Sequence, residues 1–323
     1  MRLFDRRCIV TVEKERGQSL RFEAGRTDAG DVGLDVSFDV VKTLKEEPNT
    51  CNLTIYNLNE HHRSQLGHLA RGISDSVRKT EVALKAAEAE GNEAAAAEFK
   101  NLLANVPGLL CKIEAGYREG ISTIWSGDLR TVDHVQEGPD WMTTIGSGDG
   151  ERAYSGTRVK LSSPRQGADI EQVFRTMARA LGVAPGNLGS AVAALRRSPL
   201  ARIIKEQGIV IYGPVSRELS SLARSAGLEW SIQDGALQLL ERGKARNGEV
   251  TVLRADTGMI GTPSVGTDGL LTVRSLIIPG IRVGGLIQLD SREVQGMYRV
   301  ERAVWSGDTS ADNWEIEMEA TRY

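Results

Sequence analysis

The chain has 323 residues, 40% of them apolar, 26% charged and 5% aromatic, with 35 glycines against 9 prolines and a formal net charge of −3. That is enough chain for two or three domains with real cores, and the glycine content suits short strands joined by tight turns. With no surplus of lysine and arginine to neutralise phosphates, the electrostatic footprint of a nucleic-acid-binding protein is excluded.

The first residues, Met1 to Arg7, hold no apolar stretch of signal-peptide length, and no segment reaches the ~18 apolar residues that span a bilayer. Synthesis in a cytoplasm and no stable membrane insertion are the expectation. Short β-type runs follow at Cys8–Glu13 and Leu20–Ala24, separated by Arg16-Gly17-Gln18. A period-two stretch comes next: Leu34, Val36, Phe38 and Val40 alternate with Asp35, Ser37 and Asp39, which puts the apolar side chains on one sheet face. Cys51, Leu53 and Ile55 alternate in the same way until Asn57-Leu58-Asn59 breaks the strand.

Residues 61–105 change composition. Runs such as Glu93-Ala94-Ala95-Ala96-Ala97-Glu98 are strong helix formers, and Glu90-Gly91-Asn92 marks the turn of an αα-hairpin. Val77, Leu84, Phe99, Leu102 and Leu103 supply only a thin apolar stripe, so the hairpin reads as an insertion that projects from a β-domain. The sheet resumes at Leu110–Tyr117, Ser122–Trp125, Leu129–Gln136 and Trp141–Ile145, with Gly120, Gly127 and Glu137-Gly138-Pro139 as turns.

The middle of the chain reads as α+β. Asp169 opens a helix with Gln172 as capping-box partner, and Ile170, Val173, Phe174, Met177, Ala178 and Leu181 follow at helical spacing up to Gly182. A weaker helical run covers Leu188–Leu195, in front of the basic cluster Arg196, Arg197 and Arg202, which reads as a solvated face. Pro214 starts another helix ending at Gly227, and Asp234-Gly235 between two apolar runs signals a hairpin. From Val250 onward the chain is β again. Gly266, Asp268-Gly269, Pro279-Gly280, Gly284-Gly285 and Gly296 separate the strands, and in the last one Trp314, Ile316, Met318 and Ala320 alternate with Glu315, Glu317 and Glu319.

One internal echo stands out. Ile124-Trp125-Ser126-Gly127-Asp128 and Val304-Trp305-Ser306-Gly307-Asp308 are nearly the same pentapeptide. Each is preceded by a tyrosine, Tyr117 and Tyr298, and followed by a second tryptophan, Trp141 and Trp314. This points to two copies of one β-domain in a single chain.

Candidate chemistry is sparse. Cys8, Cys51 and Cys111 are odd in number and lack CxxC spacing, so they read as small buried hydrophobes in a reducing compartment. His61, His62 and His68 miss the spacing of a zinc helix, and His134 sits in a strand with no nucleophile nearby in sequence. Gly146-Ser147-Gly148-Asp149-Gly150 lacks the strand–loop–helix context of a phosphate cradle and reads as a domain-boundary turn. Asp308, Asp312 and Asn313 miss the calcium-loop pattern. No catalytic, cofactor or metal residue is singled out, and no cofactor is expected.

The strands Leu34–Lys42 and Cys51–Leu58, the run Glu114-Ala115-Gly116-Tyr117 into Trp125-Ser126-Gly127-Asp128, and Pro279–Gly284 leading to Gly296–Val300 and Trp305–Asp308 together resemble phage baseplate hub proteins of the late-control-protein-D type. Those hubs are related in architecture to the upper part of type VI secretion spikes. The resemblance implies a mainly β fold with α+β parts. Two tube-like β-barrel domains, 1–152 and 249–323, flank a small α+β domain, 153–248, and the hairpin 61–105 is inserted in the first. It implies a non-enzymatic homotrimer in the virion tail baseplate, joining a sixfold tail tube to a threefold central spike. The implied partners are the tail tube or distal tail protein, the central spike protein and the tape measure protein, with other baseplate proteins reached through the hairpin and DNA present only in transit through a channel. Glu315, Glu317 and Glu319 are expected to face that channel. The rival readings are a tail-associated peptidoglycan hydrolase and a spike component of a bacterial injection machine.

Overall fold

The computed structural model describes residues 5–14, 18–25, 33–104, 109–150, 158–163, 169–267 and 269–323. The Arg16-Gly17 turn, Asp268 and the side chains of Val77, Leu102 and Leu103 lie outside the described residues.

The first β part contains β1 (Arg6–Lys14), β2 (Gln18–Gly25), β3 (Val36–Thr43) and β4 (Asn49–Tyr56). The helical hairpin α1 (Glu60–Ala89) and α2 (Glu93–Ala104) follows, then β5 (Leu110–Tyr117), β6 (Gly120–Glu137) and β7 (Asp140–Asp149). Asn59 caps α1 by accepting from the His62 amide at 2.8 Å, and Asn92 caps α2 by accepting from Ala95 at 3.1 Å. The first turns of α1 are anchored: Leu66 is fully buried in the main core, with Leu69 and Ala70 packed against it.

Two local expectations change here. β6 runs unbroken through Gly127, because that glycine lets the Trp125 ring fold onto the strand; a Cβ there would stand 2.6 Å from the ring. Gly146–Asp149 is the end of β7, and the chain turns only at Gly150, whose φ is +84°.

The middle part has its own core, centred on Phe174, Met177, Leu219 and Trp230. It comprises β8 (Arg158–Ser163), α3 (Ile170–Leu181), α4 (Leu188–Arg197), α5 (Pro199–Gln207), β9 (Ile209–Pro214), α6 (Val215–Ser225), β10 (Leu228–Gln233) and β11 (Ala236–Glu241). Asp169 and Gly182 cap α3 at its two ends. Asp234 and Gly235 take φ of +55° and +75°, as the two-residue hairpin turn requires.

The final β part holds β12 (Thr251–Leu253), β13 (Met259–Val265), β14 (Leu271–Leu276), β15 (Leu286–Asp290), β16 (Gln295–Asp308) and β17 (Trp314–Arg322).

Its sheet path is β13-β14-β17-β16-β15-β12, and the first part runs β3-β4-β7-β6-β5-β1. Taken in chain order, these are the same path. β2 is extra, and β12 lies parallel to β15 where β1 is antiparallel to β5.

The registers agree as well. β6 bulges against β7 between Leu129 and Thr131, and β16 bulges against β17 between Val300 and Arg302. Just before each bulge, the Leu129 amide donates to Leu109 O at 2.7 Å and the Val300 amide donates to Gly285 O at 3.0 Å. Leu129 and Val300 are therefore equivalent positions. Trp141, opposite Gln136, and Trp314, opposite Gly307, are equivalent too. Trp125 and Trp305 are not, since Trp125 precedes its bulge and Trp305 follows its own. The duplication is carried by topology and by the second tryptophans, not by the pentapeptide that suggested it.

The two β parts are joined edge to edge. β16 pairs antiparallel with β3 from Arg302 opposite Thr43 to Asp308 opposite Ser37, which makes one 13-stranded sheet over one continuous core.

Candidate functional site

The period-two pattern of β3 continues past Val40 to Lys42, so a lysine falls on the buried face and is only 5% exposed. Its ammonium lies 5.8 Å from the Trp125 ring centre and 5.9 Å from that of Trp305, between the two pentapeptides. Such a charge needs a partner, and Asp234 Oδ1 stands 2.5 Å away on the β10–β11 turn.

The same turn is held from behind. Asp149, at the end of β7, accepts from the Asp234 amide at 2.6 Å and the Gly235 amide at 2.8 Å. Burial pushes its carboxyl up to about 6, with Asp234 adding to the rise and the two amides and Lys42 opposing it. Asn49 Nδ2 donates to Ile232 O at 2.8 Å, and Gln233 Nε2 donates to Thr43 O at 2.7 Å. A second tie runs from β16, where the Arg299 guanidinium donates to Glu229, to Lys244 O at 3.0 Å and to Glu301 at 2.8 and 3.1 Å. Both ties fasten the middle part to the sheet. Chemically they are cations, carboxylates and amides bonded to one another, an arrangement that holds position.

The other candidate residues do not converge. Cys8, Cys51 and Cys111 are buried, free thiols, and burial raises all three well out of the reactive range. His61 and His62 sit near each other on α1, with His62 edge-on to Phe22 at 5.4 Å. His134, on β6, bonds Thr143 Oγ1 at 3.0 Å, and burial lowers its pKa. It lines an open cleft of about 580 Å³ with Glu60, Arg63, Arg71 and Trp141, in which Arg63 stacks 4.0 Å over the Trp141 ring. Asp308 caps its own turn by accepting from the Ser310 and Ala311 amides, while Arg6 donates to the Asp308 and Asp312 carbonyls. Of the last strand's carboxylates, Glu319 pairs with Arg302 at 3.1 Å and Glu315 with Arg274 at 3.5 Å. Among the described residues no group of three His, Cys, Asp or Glu side chains is placed to hold a metal, and no helix is long and apolar enough to cross a membrane.

Sequence reasoning missed Lys42 and Asp149. The signal for Lys42 was present in the strand parity; Asp149 carried none, because its partners are backbone amides some 85 residues away.

The chain is mainly β, and its sheet follows one strand path twice. The structure is similar to a tail protein from Neisseria meningitidis MC58, with TM-score 0.57 at 10% identity over 99% of this chain and 97% of that one. It is also similar to the 43 kDa tail protein of prophage MuSo2 from Shewanella oneidensis, with TM-score 0.52 at 9% identity over 98% of each chain. No curated protein matches in sequence. The family model described as baseplate hub gp41 matches residues 92–300, and the chain belongs to that family. It is a structural component of the phage tail.

Proposed function

We propose that the protein is a non-enzymatic, homotrimeric hub subunit that joins a sixfold tail tube to a threefold central spike and leaves an axial channel through which DNA passes. The observation that carries this reading is the repeated strand path, β3-β4-β7-β6-β5-β1 and β13-β14-β17-β16-β15-β12. Three chains with two like units each present six similar surfaces on one side and threefold symmetry on the other, which resolves a sixfold-to-threefold mismatch. In this reading 1–152 and 249–323 are the tube-like barrel units, 153–248 is the α+β unit, and the hairpin 61–105 reaches neighbouring baseplate proteins. Glu315, Glu317 and Glu319 line the channel, with Glu317 between the two ion pairs of its strand. Tube or distal tail protein, central spike and tape measure protein are the contacts along the axis, and assembly takes place in the host cytoplasm.

Sedimentation of the purified chain together with imaging of tails tests this. A trimer at the distal end of the tube is expected; its absence there overturns the reading. A zymogram of the purified chain is expected to show no lysis of peptidoglycan, and a lysis band overturns the non-enzymatic part.

A further inference from the structure

Inside the chain, the edge of β16 beyond its bulge is covered by β3. The equivalent edge of β6, from Thr131 to Glu137, has no strand on it among the described residues, because β5 pairs β6 only as far as Asp128. The strand equivalent to β3 is β13, and among the described residues β13 pairs only with β14. Each half of the repeated junction thus exists once more without a strand against it among the described residues, on β13 at one end of the sheet and on β6, beside α1, toward the other.

The register can be carried across. Cys51 lies opposite Ser147 and Leu271 opposite Ala320, so β4 and β14 superpose on that pair. Val40 lies opposite Cys51 and Val265 opposite Leu271, which makes Val265 the counterpart of Val40 and Ser264 that of Asp39. Counting from the bulges, His134 is the counterpart of Trp305 and Val135 that of Ser306.

Exposure follows this map. Val40, beside β16, is fully buried, while its counterpart Val265 is 50% exposed; Val135, on the opposite face of β6 as Ser306 is on β16, is 51% exposed. Open strand edges carrying apolar residues are templates for pairing with another chain.

We propose that the β6 edge of one chain receives β13 of a second copy, antiparallel, with Val135 opposite Ser264 and His134 opposite Val265. This rests on the trimer reading above and supplies its contact. The contact is head-to-tail, since two different edges meet, so it closes a ring only when the rotation per copy is right. With three copies, junctions of the β16–β3 kind and of the β6–β13 kind alternate around six units. Pro263, which has no amide hydrogen, and the irregularity between Ile260 and Ser264 end the pairing just before Ser264 and keep it short.

The test is V135C/S264C in the full chain. Directly opposed residues of an antiparallel pair stand about 4.5–5.5 Å apart, within reach of a disulfide. The native cysteines are buried and do not compete. Oxidation is expected to give a covalent trimer on a non-reducing gel. V135C or S264C alone, and T131C/S264C, displaced about 13 Å along the strand, are expected to give none. A chain that sediments as a trimer but does not cross-link through V135C/S264C overturns this contact and leaves the trimer standing. Dimers formed by V135C alone, or covalent chains that grow beyond three, overturn the head-to-tail ring. A chain that stays monomeric throughout overturns both.

Discussion

Lys42 and Asp234, nearly two hundred residues apart, meet at 2.5 Å where the sheet touches the middle part. The lysine side chain is 7% exposed and the aspartate 36%, so most of the desolvation falls on the cation. Replacing Lys42 by Met keeps the packing between Trp125 and Trp305 and frees Asp234 to face water. A loss of about 1–3 kcal/mol is expected, below the range for a fully buried pair. Asp234→Asn is expected to cost a similar amount and the double variant clearly less than the sum, as measured by urea unfolding.

Asp149 should leave a signature in pH. Its folded pKa, about 6, lies above the unfolded value of 3.8. The folded chain therefore holds the proton more tightly, and this group's contribution to stability is present below pH 4 and lost as pH rises to about 6. The contribution is at most about 3 kcal/mol. Asp149→Asn removes it. The difference in unfolding free energy between wild type and variant, followed from pH 4 to 7, is expected to slope accordingly; a flat difference contradicts the burial argument.

Gly307 has no room for a side chain. A Cβ there would stand 2.3 Å from the Phe38 ring and 2.9 Å from that of Trp314. Gly307→Ala is expected to cost about 2–3 kcal/mol through displacement of two core aromatics. Gly189, in the first turn of α4, meets nothing, and Gly189→Ala is expected to be neutral or to stabilise by up to about 0.5 kcal/mol. Thermal melts of the two variants separate the cases.

The hairpin divides energetically along its length. Leu66→Ala opens a hole in the main core and is expected to cost about 3 kcal/mol. Replacing residues 78–96 by a short Gly/Ser turn removes mostly exposed surface and is expected to change stability by no more than about 1 kcal/mol. Denaturant midpoints check both.

Much of the fold was legible because the signals were local. Strand parity marked β3, β4 and β17, helical spacing marked α3, and Asp234-Gly235 marked its hairpin. The helix Pro199–Gln207 escaped because its apolar face is thin, Ile204 being its one fully covered side chain. The pairing of β8 with β9 escaped because the strands are separated by three helices. The merging of both β parts into one sheet was invisible for a stronger reason: the β3–β16 register depends on bulges and backbone bonds that leave no mark on residue type. At the site, the buried cation could be read from parity, but its partners could not.

The seam between β3 and β16 also sets an order of events during synthesis. Asp308 emerges 271 residues after its partner Ser37 (308 − 37). Until then the edge of β3 is bare, and so is the face that Trp305 and Trp314 will cover. Contacts of such long sequence separation close slowly, and open edges are prone to aggregation while they wait. Translation rate and temperature should therefore govern the yield of soluble chain more strongly than its final stability does.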